Sequence, residues 1–489
     1  MAGAEQKKVI EFGLVTRDES IIAQVKDICG EFEYSFQCWS DTESYFESEQ
    51  ECRVIVYSDL KAEIKVFGAA VAEFTQIAQQ ISQEAYIMGI VPKLLSREQV
   101  EFLNKSGLNT IILASEVLES SKLGFIASQA IHAKYIPIKD TDLIANQKVT
   151  FDLYHLMPLR NKFIKIVRKG DVVSDSKITK LKSVGEFYIP RDQMKVFTTY
   201  TNDVDPSDPD YHFRRTRAYF LEFSVTFLDM VNILTDQSVT LSYEEGRELM
   251  DKCLLIAGEL TQCLTMIEPN QIWNVVNNSV IGDFGSIERA PAIAAYVSYF
   301  GTMIGIENLD ELIFAALVAD IGLVHLPMNV TKKIRQGKME QFNGEEKSQY
   351  QQYLKRSLES IASRRLPVEK NIRDVISNCR EKADGLGFPS GKAGEFLSEE
   401  SQLLHFGFVF DKVSMLKMGE TRRDKFDLLK DLIQKEAQKT NYFTPAFLNK
   451  FLKGFPDLFP NGILDKKGCQ TLFPVPIASF FVRPFHWIP

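Results

Sequence analysis

The chain has 489 residues, 45% of them apolar, and a formal net charge of -8 with a sequence pI near 5.5, enough for about two to four domains with ample core. Its acidic balance, with basic residues scattered rather than striped, excludes the broad electrostatic footprint of a protein that binds a nucleic-acid polymer. The start, MAGAEQKKVIEF, lacks an apolar stretch of signal-peptide length and no run approaches the roughly 18 apolar residues of a membrane span, so the expectation is a cytoplasmic protein.

Residues 8 to 134 alternate short β-branched runs (VIEFGLV, RVIVYS, YIMGIV, NTIILA) with helical patterns (RDESIIAQVKDICGEF, VFGAAVAEFTQIAQQI, SKLGFIASQAIHA). That alternation predicts a parallel sheet covered on both faces, an α/β domain of flavodoxin-like size over residues 1–134. It resembles, in topology more than in motif, the receiver domain of bacterial response regulators. The resemblance implies an acidic pair after strand one for Mg²⁺, a phosphoacceptor aspartate ending strand three and a lysine after a later strand. At those positions stand Thr16 and Arg17 followed by Asp18, then Asp59 in VYSDL, then Ala114 and Ser115 in LASE. Asp59 is the candidate phosphoacceptor. Phosphoryl transfer needs a cation to neutralise developing charge, and without the metal site or the lysine the favoured reading is a pseudo-receiver in which Asp59 opens a surface loop.

Residues 135–205 break into strand-like pieces (KYIPI, VTFDLYHL, KFIKIVRKGDVV, EFYIPRD) with one helix over SKITKLKSV, a small β-rich module. His155 and the KIVRKGD turn are read there as a sheet-face histidine and a solvated turn. The Asp- and Pro-rich segment TNDVDPSDPDYH contains a linker at 206–213. Residues 214–450 repeat apolar positions at three and four, predicting an all-α bundle of about seven or more helices. The tail is placed at 451–489; its final 35 residues, from Phe455, are rich in Phe and Pro, the prolines preclude a regular helix or central strand there, and the tail is expected to pack along the helical domain. The seven cysteines, at 29, 38, 52, 253, 263, 379 and 469, form no C-x-x-C pair, which argues against a zinc clip and a disulfide framework.

Within LDELIFAALVADIG, Asn308 and Glu311 have capping-box spacing, and Gly322 is expected to end the helix. Ile313, Ala316, Leu317 and Asp320 share one face, so Asp320 points toward the core, where a carboxylate needs a cation or donors. Leu404, Gly407, Phe408 and Asp411 repeat that geometry, and Asp411 is read either as an inward carboxylate or as a cap on a neighbouring helix.

Three segments then carry a family resemblance: ADIGLVHLP, REKADGLGFPSG and GFVFDKV. In order and spacing they resemble the HDIGKxxxP, HHExxDGxGYP and ADVFDAL signatures of the HD-GYP domain, a metal-dependent phosphodiesterase of cyclic di-GMP. The resemblance implies two or three metals held by an early His, the His-Asp pair, a mid-domain His, a His-His pair and a late Asp. This chain has Ser286, Ala319 with Asp320, Tyr353, Cys379 with Arg380, and Phe408 at those places, so only Asp320 remains. One carboxylate cannot hold a hydrolytic metal pair. His325 and His405 are the candidate replacement ligands.

Arg380, standing where a metal ligand would be, is expected to fill the cation position and pair with Asp320. The reading is a catalytically inactive HD-GYP-like signalling protein, with no cofactor or metal, that binds a partner in cyclic di-GMP signalling. In the family the GYP-bearing loop contacts diguanylate cyclase domains, so Asp384, Gly385, Gly387, Phe388 and Pro389 form the expected partner loop, with Phe388 as apolar anchor. Two alternatives stay open: residual phosphodiesterase activity through relocated ligands, and a non-hydrolysing cyclic di-GMP sensor using Arg380, Lys382 and Lys417. Oligomeric state is open.

Overall fold

The computed structural model describes residues 8–184, 186–235, 243–277, 287–414, 425–439, 441–460, 462–464 and 470–472. The first unit runs β1 (Ile10–Val15), α1 (Glu19–Glu31), β2 (Phe36–Trp39), α2 (Thr42–Ser48), β3 (Cys52–Ser58), α3 (Ile64–Ile81), β4 (Tyr86–Val91), α4 (Arg97–Lys105), β5 (Thr110–Leu113), α5 (Ala114–Glu119) and α6 (Lys122–His132). Its strands pair in parallel in the order β2-β1-β3-β4-β5. Successive side chains of a strand point to opposite faces, and here each face has its own core. Phe12, Leu14, Val54 and Val56 pack with Ile21, Val25 and Phe125, whereas Val15, Ile55 and Tyr57 pack with Phe67, Val71 and Phe74. Strand β2 carries no apolar run, only FQCW, because it is an edge strand with half-exposed residues.

The β module comprises β6 (Tyr135–Ile138), β7 (Gln147–Lys148), β8 (Leu153–Met157), β9 (Lys162–Val167), β10 (Val172–Val173), α7 (Asp175–Val184) and β11 (Phe187–Pro190), its main sheet ordered β6-β11-β8-β9. His155 Nδ1 lies 3.2 Å from the Glu186 carbonyl oxygen on that sheet. Helix α8 (Met194–Asn202) follows and packs on α9 (Tyr211–Thr235). The helix thus begins inside the segment read as a linker at 206–213, and Arg214 binds that segment down through Asp208 and the Thr141 carbonyl. A fully buried pair, Arg217 with Asp142 at 2.8 Å, joins α9 to the turn after β6.

Helices α10 (Tyr243–Thr265), α11 (Pro269–Asn277), α12 (Ala290–Ile304), α13 (Leu309–Val318), α14 (Met328–Arg335), α15 (Gly344–Gln351), α16 (Tyr353–Ser363), α17 (Lys370–Asn378), α18 (Glu399–Ser414), α19 (Lys425–Lys439) and α20 (Pro445–Gly454) complete the helical region. Among the described residues one helix, α9, is long and apolar enough to cross a membrane, yet 72% of its apolar window is buried inside the protein. The almost wholly buried α12 is the centre of this region. Gly407 lets α18 approach it, since a Cβ there would lie 2.9 Å from a Val297 methyl. The start of the tail packs here too, with Phe455 and Phe459 buried and Phe455 against Phe300. Cys469 and the FFVRPFHWIP end lie outside the described residues.

Candidate functional site

Helix α13 stops at Val318, not at Gly322, and Asp320 opens a short 3-10 turn, Ile321–His325. The reason is α16: Ser357 Oγ donates to the Ala319 carbonyl at 2.6 Å and accepts from the Gly322 N–H at 2.8 Å, drawing the chain out of the helix. Gly322 is there for contact, since a Cβ would meet the Tyr353 carbonyl oxygen at 2.0 Å. The predicted capping box is also absent. Asn308 has a φ of 56° and makes no side-chain cap, while Glu311 accepts from Asn371 instead. A positive φ at Asn308 turns its side chain away from the helix's first N–H groups, and only the three-dimensional path into α13 fixes that angle.

Arg380 lies two residues past the end of α17, and the DGLGFP loop holds its backbone in place. Asp384 Oδ1 accepts from the Leu386 N–H at 2.9 Å, and Gly385 turns with φ of 75°. Gly387 lies so close to the 380–382 backbone that a Cβ would meet Glu381 Cα at 2.4 Å and the Arg380 oxygen at 2.6 Å. The Phe388 N–H donates to the Arg380 carbonyl at 3.2 Å. Phe388 turns inward, 5.4 Å from the Tyr350 ring, so it does not have the exposure of the apolar anchor expected from sequence, whereas its neighbour Leu386 is 78% exposed. Pro389 is exposed beside it.

The Arg380 side chain extends to Asp320, with Nη2 3.1 Å and 3.3 Å from its two carboxylate oxygens. Tyr353 completes a triangle by donating to Asp320 Oδ1 at 2.9 Å and accepting from Arg380 Nε at 2.6 Å. Burial pushes the Tyr353 hydroxyl well above the ordinary tyrosine value, keeping it a donor. Below, Arg380 lies 3.5 Å over the Phe408 ring. Desolvating a charge pair is tolerable when donors and acceptors are matched, as they are for the buried Asp320 and the mostly buried Arg380.

This donor set does not fit a metal. Beside Asp320 stand a cation, a phenol and a ring, together with Cys379, whose thiol burial pushes up to about 12. A thiolate ligand there would oppose that shift. Among the described residues no three His, Cys, Asp or Glu side chains are grouped to hold an ion. His405 Nδ1 lies 2.7 Å from the Glu381 carbonyl oxygen, and His325 Nε2 lies 3.1 Å from Ser360 Oγ; neither is among Asp320's partners. Ala319 is buried and gives its carbonyl to Ser357. Ser286 and Lys417 lie outside the described residues, and Lys382 sits over the Tyr442 ring at 4.6 Å.

Asp411 does point inward, and its partner is Arg289, whose Nε donates at 3.1 Å. In the α/β unit Asp59 is exposed and accepts from the Lys61 N–H, while Asp18 caps α1 and Arg17 pairs with Asp41. The residue that sequence reasoning passed over is Glu381. It is buried, and its carboxylate accepts from Ser390 N–H at 2.6 Å and Lys392 N–H at 3.1 Å, closing the loop behind Arg380. Its place beside Arg380 in a turn-rich segment was the available signal.

Residues 276–442 match the family model of the HD domain. Among solved structures the chain is similar to Bd1817, a HDG"Y"P protein from Bdellovibrio bacteriovorus, at 16% identity over 66% of this chain and 98% of that one, with a TM-score of 0.42. No curated protein sequence matches the chain.

Proposed function

We propose that this chain is an HD-GYP-like signalling protein that does not hydrolyse a phosphodiester and acts in cyclic di-GMP signalling by binding a partner. The observation that carries this reading is Arg380, whose guanidinium bridges Asp320 and Tyr353 and covers Phe408. A permanent positive charge at that place repels the divalent ions that a hydrolytic centre needs. The HD-domain match over 276–442 supports the class, and the three motif segments fall within it.

In this reading the α/β unit is a pseudo-receiver, supported by its strand order, which is that of flavodoxin-like folds. The partner surface is the DGLGFP loop, where Leu386 offers the exposed apolar contact, and a diguanylate cyclase domain is the partner the motif points to.

The test is elemental analysis of the purified full chain together with a cyclic di-GMP hydrolysis assay in Mn²⁺ or Fe²⁺. Substoichiometric metal and no turnover are expected. Stoichiometric metal with turnover overturns the proposal. Binding of a cyclase domain to wild type, weakened in Leu386→Asp, is the expected second result.

A further inference from the structure

Helix α6 belongs to the α/β unit, yet it is hydrogen-bonded at both ends to the helical region. At its start the Ser121 N–H donates to the Leu326 carbonyl at 2.9 Å, and the Ser121 hydroxyl lies 2.9 Å from the same oxygen and 2.6 Å from Thr331 Oγ1. Lys122 is fully buried beside it, 2.8 Å from Glu116. Toward the other end, Gln129 Nε2 donates to Glu288 Oε1 at 3.0 Å, and Ser128 Oγ lies 3.5 Å from that oxygen. Gln129 and Glu288 are both buried.

These two attachment points lead to the Asp320–Arg380 core by short routes. Leu326 closes the 3-10 turn that Asp320 opens. Glu288 precedes Arg289, which pairs with Asp411, one helical turn along α18 from Phe408. An outer seam reinforces the contact: Glu31 pairs with Lys332 at 2.5 Å and Arg335 at 3.2 Å, and Arg335 covers the Phe32 ring.

We propose that α6 is the element through which the α/β unit sets the state of the Asp320–Arg380 core, so that a ligand or partner that shifts α6 is felt at the core. The physical reason is direction. A greasy seam can slide, but α6 cannot shift along its axis without taking the buried Ser121 and Gln129 away from the Leu326 carbonyl and the Glu288 carboxylate, each loss costly. Such interfaces pass between discrete arrangements rather than deforming smoothly. Coupling of this kind is reciprocal, so a change at the core must reach α6.

Amide hydrogen exchange on the full chain tests both directions. In the double variant Ser121→Ala with Gln129→Leu, exchange is expected to quicken about tenfold in segments 287–300 and 319–326, with the β module at 153–167 unchanged. In Arg380→Met, segment 122–132 is expected to quicken although the partners of Arg380 are Asp320, Tyr353 and Phe408, none on α6. If Arg380→Met does not fold, Phe408→Leu, which thins the surface under the guanidinium, takes its place. Loosening confined to 378–382, or spread evenly over the whole chain, overturns the proposal.

Discussion

The Arg380 guanidinium carbon lies 3.5 Å from the centroid of the Phe408 ring, while its Nη2 meets the Asp320 carboxylate. A carboxylate in place of the ring would attract a metal ion; a ring attracts a guanidinium with about 1 to 2 kcal/mol once both are desolvated. Phe408 and Asp320 thus hold one cation from two sides.

That sandwich makes the core sensitive to single changes. Arg380→Met or Asp320→Asn leaves a buried charge or polar group without its partner and is expected to cost about 3 kcal/mol, the low end for buried pairs because Arg380 keeps 18% of its side-chain exposure. Removing the group as a unit, with Asp320→Leu, Arg380→Met and Tyr353→Phe combined, should recover most of that loss. Urea unfolding of the singles and the triple decides it; a triple as unstable as the sum of the singles would show that the three side chains do not act together.

His405 and His325 give stability a pH dependence of fixed sign. Burial first, then nearby cations, hold them at about 3 and about 4. The folded protein keeps both neutral, while the unfolded chain takes up protons below about pH 6.5. Their contribution is therefore complete above that value and declines as pH falls from there toward the folded values, by up to about 1.4 kcal/mol per unit for each histidine. His405→Asn keeps a donor for the Glu381 carbonyl and should flatten the slope between about pH 6.5 and 5. Equal slopes in the two proteins would remove His405 from the account.

Two glycines should tolerate no side chain. Gly322→Ala sets a Cβ 2.0 Å from the Tyr353 carbonyl, and Gly387→Ala sets one 2.4 Å from Glu381 Cα, both against backbone. Each is expected to cost about 3 kcal/mol or more, whereas Gly385→Ala, strained by φ but less crowded, should cost about 1 kcal/mol. Melting temperatures in that order check the prediction, and a mild effect at Gly387 would mean that the loop does not brace Arg380.

Leu386 and Phe388 should separate binding from folding. Leu386→Ser removes an exposed side chain and should leave stability within about 0.5 kcal/mol while weakening partner binding. Phe388→Ala opens the packing against Tyr350 and should cost about 2 kcal/mol. Unfolding curves and titration with a cyclase domain read the two effects; a destabilised Leu386→Ser would contradict the exposed position.

Much of the architecture could be read from the chain because period and composition are local. The runs VIEFGLV, RVIVYS and YIMGIV are buried on both faces, and their neighbours are amphipathic helices. The edge strand at Phe36–Trp39, with little burial to announce it, was not legible, and neither was the helix at Met194–Asn202, whose buried face includes threonines as well as Met194, Phe197 and Tyr200. The end of α13 was misplaced because Ser357, from a helix distant in sequence, takes up the groups that a local cap would otherwise satisfy.

The sequence alone determined which side chains are available to the core: one aspartate, an arginine, a cysteine, a tyrosine and a phenylalanine where the family pattern has histidines and aspartates. Identity is a property of the chain. Only the tertiary structure decided that Tyr353 bridges Arg380 and Asp320 and that the guanidinium lies over Phe408, that Phe388 turns inward while Leu386 turns out, and that α6 reaches two segments beside the core. Those are contacts between residues far apart in the chain, fixed by packing and by the need of every buried polar group for a partner, and neither acts within one stretch of sequence.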